Sequence, residues 1–158
     1  MSTLKQVMLY IVNSYKHSKS ISVSRLSKTV YLADWQAALK LDRQLTNITW
    51  DIRFSGPFAP EIETVLTTDD DFQMQGGKNY VTKVQQIAAA NDDIPVELSP
   101  SELRVLDKVL RDTAQLNWND FLNYVYATYP VKIQQRTTII DLVAVAKEYK
   151  NFHIDAYR

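Results

Sequence analysis

The stretch that most constrains this chain is RLSKTVYLADWQAAL, residues 25 to 39, a helix with too much apolar surface to lie at an edge. At about 100° per residue, Val23, Leu26, Val30, Ala33 and Ala37 share one side. Tyr31 and Ala38 flank that stripe, and Trp35, Leu39 and Leu32 wrap toward the back. A surface helix carries one apolar stripe and one polar face. Here Arg25, Lys28, Gln36 and Lys40 leave only a narrow outlet to water, which predicts a central helix over about 23–40 contacted by several other elements. Asp34 stands on the margin of the stripe, between Ala33 and Trp35. Buried charges are paired or hydrogen-bonded, so the expected partner of this carboxylate is a backbone amide or an Arg. A catalytic role would need a companion group that the sequence does not visibly supply.

The flanking segments supply the rest of a core. Ser2 or Thr3 caps a first helix to about residue 16, with Leu4, Val7, Met8, Ile11, Val12 and Tyr15 at amphipathic spacing. Ser22 caps the central helix. In ITWDIRF, Ile48, Trp50, Ile52 and Phe54 alternate with Thr49, Asp51 and Arg53, the two-residue period of a strand with one buried face. Gly56-Pro57 reads as the sharp turn that stops it, because proline cannot extend a ladder. Pro60 opens a short helix, with Glu61 and Glu63 at its positive end. The polar stretch FQMQGGKNYVTKVQQ reads as a hairpin around Gly76-Gly77. Ser99, Pro100 and Glu102 form a capping box ahead of Leu103, Leu106, Val109 and Leu110. Asn117 caps a further helix that closes before Pro130, with Phe121, Leu122, Val125 and Tyr126 as its apolar residues. TTIIDLVAVAKEYK reads as a last helix, apolar on Ile139, Ile140, Val143, Ala146 and Tyr149. The expected fold is mostly helical α+β: a bundle around the helix at about 23–40, with a small antiparallel sheet or hairpin inserted at about 48–54 and 72–86.

Charge and composition narrow the function. At 158 residues the chain is expected to form one domain, 1–158. Eighteen basic side chains balance eighteen acidic ones, which disfavours nucleic acid, whose binders owe most of their affinity to neutralised phosphates. Lys16, His17, Lys19, Arg25 and Lys28 are the one candidate basic patch, more simply read as solvated residues between helices. The absence of cysteine fits a cytoplasmic address and removes thiolate chemistry. No apolar run approaches the roughly 20 residues of a bilayer span, so no membrane partner is expected. Asp69, Asp70 and Asp71 lack the ligand spacing of a calcium loop. His17 and His153 stand alone in polar segments. No phosphate-cradling, nucleophile-elbow or zinc-helix motif occurs. No enzyme activity, cofactor or metal is therefore expected. Nine tyrosines and three tryptophans remain, residue types that dominate protein interfaces, and Tyr124, Tyr126 and Tyr129 surround one helix and its end and cannot all face inward.

The run RLSKTVYLADWQAALKLDRQLTNITWDIRFSGPFAPEI resembles the Panacea domain, the SocA-like fold of phage-associated proteins and of antitoxins in toxin–antitoxin pairs. That family has a hydrophobic helix of the form (K)LxKLLYLAD, an arginine–leucine–threonine turn, a strand, a Gly-Pro turn and a short helix. The matching residues are Leu26, Lys28, Val30, Tyr31, Leu32, Ala33 and Asp34, then Arg43, Leu45 and Thr46, then Gly56, Pro57 and Pro60. Leu98, Ser99, Glu102 and Leu106 are similar to the next helix and its cap. The resemblance covers about residues 4 to 129. Thr29-Val30 replaces the usual Leu-Leu pair, and the tail beyond Pro130 has no counterpart.

The resemblance implies an antitoxin-like protein-interaction module that neutralises a co-encoded toxin by direct contact, one branch of the family being similar to an adaptor that presents its toxin to a protease. It transfers Asp34 and the Gly56-Pro57 turn as fold determinants, and no catalytic residue. The expected docking surface is the exposed side of the sheet and its flanking turn, near Arg53, Phe58 and Tyr80. The alternative is a DNA-binding, winged-helix-like phage or transcriptional regulator with the Gly76-Gly77 hairpin as its wing. Homo-oligomer formation is left open.

Overall fold

The computed structural model describes residues 3–15, 21–75, 86–89, 96–133 and 138–152. In chain order these form α1 (Thr3–Ser14), α2 (Val23–Leu41), β1 (Trp50–Arg53), β2 (Gly56–Phe58), α3 (Pro60–Thr68), β3 (Phe72–Gln75), β4 (Gln86–Ala89), α4 (Pro100–Thr113), α5 (Trp118–Tyr126), α6 (Tyr129–Ile133), β5 (Thr138–Ile140) and α7 (Leu142–Phe152). The molecule is a mostly helical α+β fold, as the periodicities predict.

Helix α2 is its centre. Ser22 accepts the amide of Arg25 and caps the N-terminus, and Asp42 ends the helix in the left-handed region with φ of 58°. Asp is among the few residues that enter that region readily. Lys150 of α7 secures this end, its Nζ lying 2.6 Å from Asp42 Oδ1 and 3.2 Å from the Leu39 carbonyl. Leu26, Val30, Ala33 and Ala37 are buried as the stripe requires, and so are Tyr31, Leu32, Trp35, Ala38 and Leu39 on the remaining sides. Helices α1, α4 and α7 and strand β2 all pack on this one element. Each fully buried large aliphatic side chain in such a core contributes about 1.5–3 kcal/mol. Helix α4 opens with the predicted capping box: Ser99 Oγ accepts the Glu102 amide and Glu102 accepts the Ser99 amide.

The link from α2 to β1 is fixed by Asp34. Its Oδ1 accepts the amides of Leu45 and Thr46, each at 2.9 Å. Its Oδ2 accepts the Thr46 hydroxyl at 2.5 Å, the Trp50 indole at 2.9 Å and the Gln44 amide at 3.3 Å. A carboxylate with no exposed surface is thus met by donors alone, the arrangement that makes a buried charge tolerable. The backbone-amide partner expected for Asp34 is the one observed. Trp50 also meets Tyr31 edge-on, ring centroids 5.6 Å apart, and the Tyr31 hydroxyl lies 2.8 Å from Thr128 Oγ1.

Three expectations need correction. Gly56-Pro57 is not the turn: β1 ends at Arg53, Phe54-Ser55 make the turn, and Gly56–Phe58 return as β2. Proline is accommodated there because β2 is an edge strand. Segments 48–54 and 72–86 do not form one sheet. Strand β1 lies between β2 and β5, while β3 pairs with β4 alone. Gln75 pairs with Gln86, and the expected turn at Gly76-Gly77 lies outside the described residues. Thr138–Ile140 is a strand, not the start of the last helix, and Asp141 caps α7 by accepting the Ala144 amide. The helix capped by Asn117 closes before Pro130 as expected, and Pro130 itself lies in the first turn of the short helix α6, which needs no amide donor from it.

Candidate functional site

The alternation in β1 turns Trp50 and Ile52 inward, both buried, and Asp51 and Arg53 outward. Register then assembles the outer face. Asp51 pairs with Phe58 on one side and Ile139 on the other, placing the three side chains in one row across the sheet. Arg53 Nε donates to Asp51 Oδ2 at 2.9 Å, and the guanidinium stands 4.1 Å over the Phe58 ring. An arginine tethered at one edge and stacked on an aromatic face is held in a narrow set of rotamers, and the Arg53 side chain stays 47% exposed. Phe54, at the hairpin turn, is fully exposed, and Ile139 is 69% exposed. The result is a rigid, mixed apolar and charged surface of the composition found at binding hot spots.

Arg53 and Phe58 are therefore in contact. Tyr80 lies outside the described residues, as do Gly76, Gly77, His17, His153, Lys16 and Lys19. Phe54 and Ile139 were not singled out for this face. Parity in ITWDIRF assigns Phe54 inward, whereas the Ser55-Gly56 dipeptide is the turn signal that releases it. The β-branched run Thr137-Thr138-Ile139-Ile140 is the strand signal that reveals Ile139.

Other candidates resolve into structure. Burial pushes the Asp34 carboxyl up to about 6, against the pull of its hydrogen bonds from Thr46, Trp50 and Leu45. It is an anchor for the loop rather than a group facing a cleft. The proposed basic patch loses two members: Arg25 donates to the Thr113 carbonyl at 2.6 Å and stacks 4.4 Å from the Phe121 ring, and Lys28 is buried. Lys5 bridges Asp69 at 2.9 Å and Asp71 at 2.5 Å, so these acidic residues are engaged by a cation of the chain itself. Among the described residues no cluster of three or more His, Cys, Asp or Glu is arranged to hold a metal ion, and no helix is long and apolar enough to cross a membrane.

A family model described as "Antitoxin SocA-like, Panacea domain" matches residues 26–130, from the first turn of α2 to the start of α6. The chain belongs to this family. No curated protein and no solved structure matches it. In this Panacea-domain protein the matched span contains the Asp34 anchor, the β1–β2 hairpin and the capping box, while β5 and α7 lie beyond it. At the level of the family, the role is antitoxin-like and the partner is a protein.

Proposed function

We propose that this chain neutralises a co-encoded toxin by direct contact, through the outer face of the β2-β1-β5 sheet. The observation that carries the placement is the Arg53–Phe58 stack beside the fully exposed Phe54. That constellation offers an aromatic anchor, a preorganised cation and an apolar flank, and the cost of ordering it is already met in the free protein. The chain acts as a single domain in the cytoplasm. Delivery of the bound toxin to a protease is a further step open to a protein that holds its partner on one rigid face.

Arg53→Glu is the direct test. The Arg53 side chain is 47% exposed, so losing its pair with Asp51 costs at most about 1 kcal/mol and the melting temperature falls little. It weakens the complex with the protein encoded beside this chain and its protection of cells from that protein. Unchanged neutralisation by the variant would overturn the placement.

A further inference from the structure

Lys28 is 7% exposed, yet its ammonium has a single polar neighbour, Ser24 Oγ at 3.1 Å. No carboxylate among the described residues pairs with it, and burial lowers its pKa without an opposing charge. Lysines buried to this degree are almost always paired, so the arrangement calls for a counter-charge that the described residues do not provide. The stem is fixed by its surroundings. A methyl group built on Gly56 would lie 3.5 Å from Lys28 Cε and 2.9 Å from Tyr126 Cε1, which places the lysine stem and the Tyr126 ring against the hairpin backbone. The ammonium points back along α2 to Ser24, an exposed residue in its first turn. Gly56, itself buried, walls this notch and lies two residues from Phe54.

We propose that the Lys28 ammonium receives a carboxylate of the bound toxin, from an acidic side chain or the chain terminus, as the toxin docks over the β1–β2 hairpin. The inference rests on the antitoxin reading above and adds the chemistry of the partner. An acidic group suits the notch because it supplies the missing charge where water is largely excluded, and the Ser24 hydroxyl is at hand to donate to it. A neutral partner would leave the cation buried and unpaired in the complex.

Lys28→Met keeps the length and apolar stem of the side chain and removes its charge. The variant is expected to melt no lower than wild type, since an unpaired buried cation is lost. Calorimetric titration with the protein encoded beside this chain should show binding weakened by about thirtyfold or more, the cost of leaving one member of a desolvated pair alone. Unchanged affinity for Lys28→Met, with Arg53→Glu weakened, overturns the lysine notch and leaves the sheet face standing. The reverse pattern supports the notch and removes the sheet face. If the neighbouring protein does not bind wild type at all, the antitoxin reading fails, and acetate as probe decides the notch alone. Saturable shifts of the Ser24 and Gly56 amide signals, seen with acetate but not with chloride and absent in Lys28→Met, support it. Their absence in wild type overturns it.

Discussion

Trp50 donates its indole N–H to Oδ2 of Asp34 at 2.9 Å, joining the first strand of the sheet to the middle of the central helix. The same carboxylate holds Leu45 and Thr46, so one side chain fixes the path of the backbone from the end of α2 to the start of β1.

Replacing Asp34 by Ala leaves the amides of Leu45 and Thr46 and the Trp50 indole buried without acceptors. Each such donor costs about 1–3 kcal/mol. The expected loss is about 3–5 kcal/mol in urea unfolding, in the range reserved for broken buried networks. A loss under about 1 kcal/mol would show that the loop keeps its path without the carboxylate.

Asp34 also sets a pH dependence. Its folded-state value, about 6, lies above the ordinary 3.8 because of burial. The folded chain holds this proton more tightly than the unfolded chain. The group's contribution to stability is therefore complete below the unfolded value and is lost as pH rises through about 6. Glu102 and Asp69 act in the opposite sense, since their hydrogen bonds hold them below the usual carboxylate range. The site-specific readout is the Trp50 indole proton resonance, expected to inflect near pH 6. A flat titration through that region would refute the assignment.

Gly56 has φ of +98°, and a Cβ there would come within 2.9 Å of the Tyr126 ring. Gly56→Ala is expected to cost about 1–3 kcal/mol, read as a lowered melting temperature. Tyr126→Ala in the same background relieves the ring contact and leaves the backbone strain, so the double variant recovers only part of the loss relative to Tyr126→Ala alone.

Phe54→Ser changes a side chain that touches nothing in the free protein, and stability should stay within about 0.5 kcal/mol of wild type. If the hairpin tip anchors the toxin, the complex weakens by more than about 1 kcal/mol, measured by calorimetry. Wild-type affinity would remove the tip from the interface.

The helices were legible because their signals are local. The stripe of α2, the Ser99–Glu102 box and the Asn117 cap each lie within a few residues and predict the element observed. The sheet was less so, because pairing is a long-range choice. Nothing near Asp51 announces Ile139 as its cross-strand neighbour, and nothing near Gln75 announces Gln86. Gly56-Pro57 misled for a physical reason: proline forbids a central ladder but not an edge, and edge position is decided by the rest of the sheet. The outward placement of Arg53 followed from alternation alone, whereas its stack on Phe58 needed the hairpin register. Lys28 read as solvent-facing because lysine is seldom buried. Only the approach of Gly56 and Tyr126 encloses it.

Strand β5 completes the sheet from residues 138–140, far along the chain from the hairpin it joins. A growing chain holds the residues of the Asp34 anchor and the β1–β2 hairpin well before those of β5, so one flank of β1 stays open until residues 138–140 follow. During synthesis the exposed ladder of β1 is a free edge able to accept a foreign strand, and the arrival of β5 closes it. The outer face of the sheet thereby depends on residues remote in sequence from the hairpin that forms most of it.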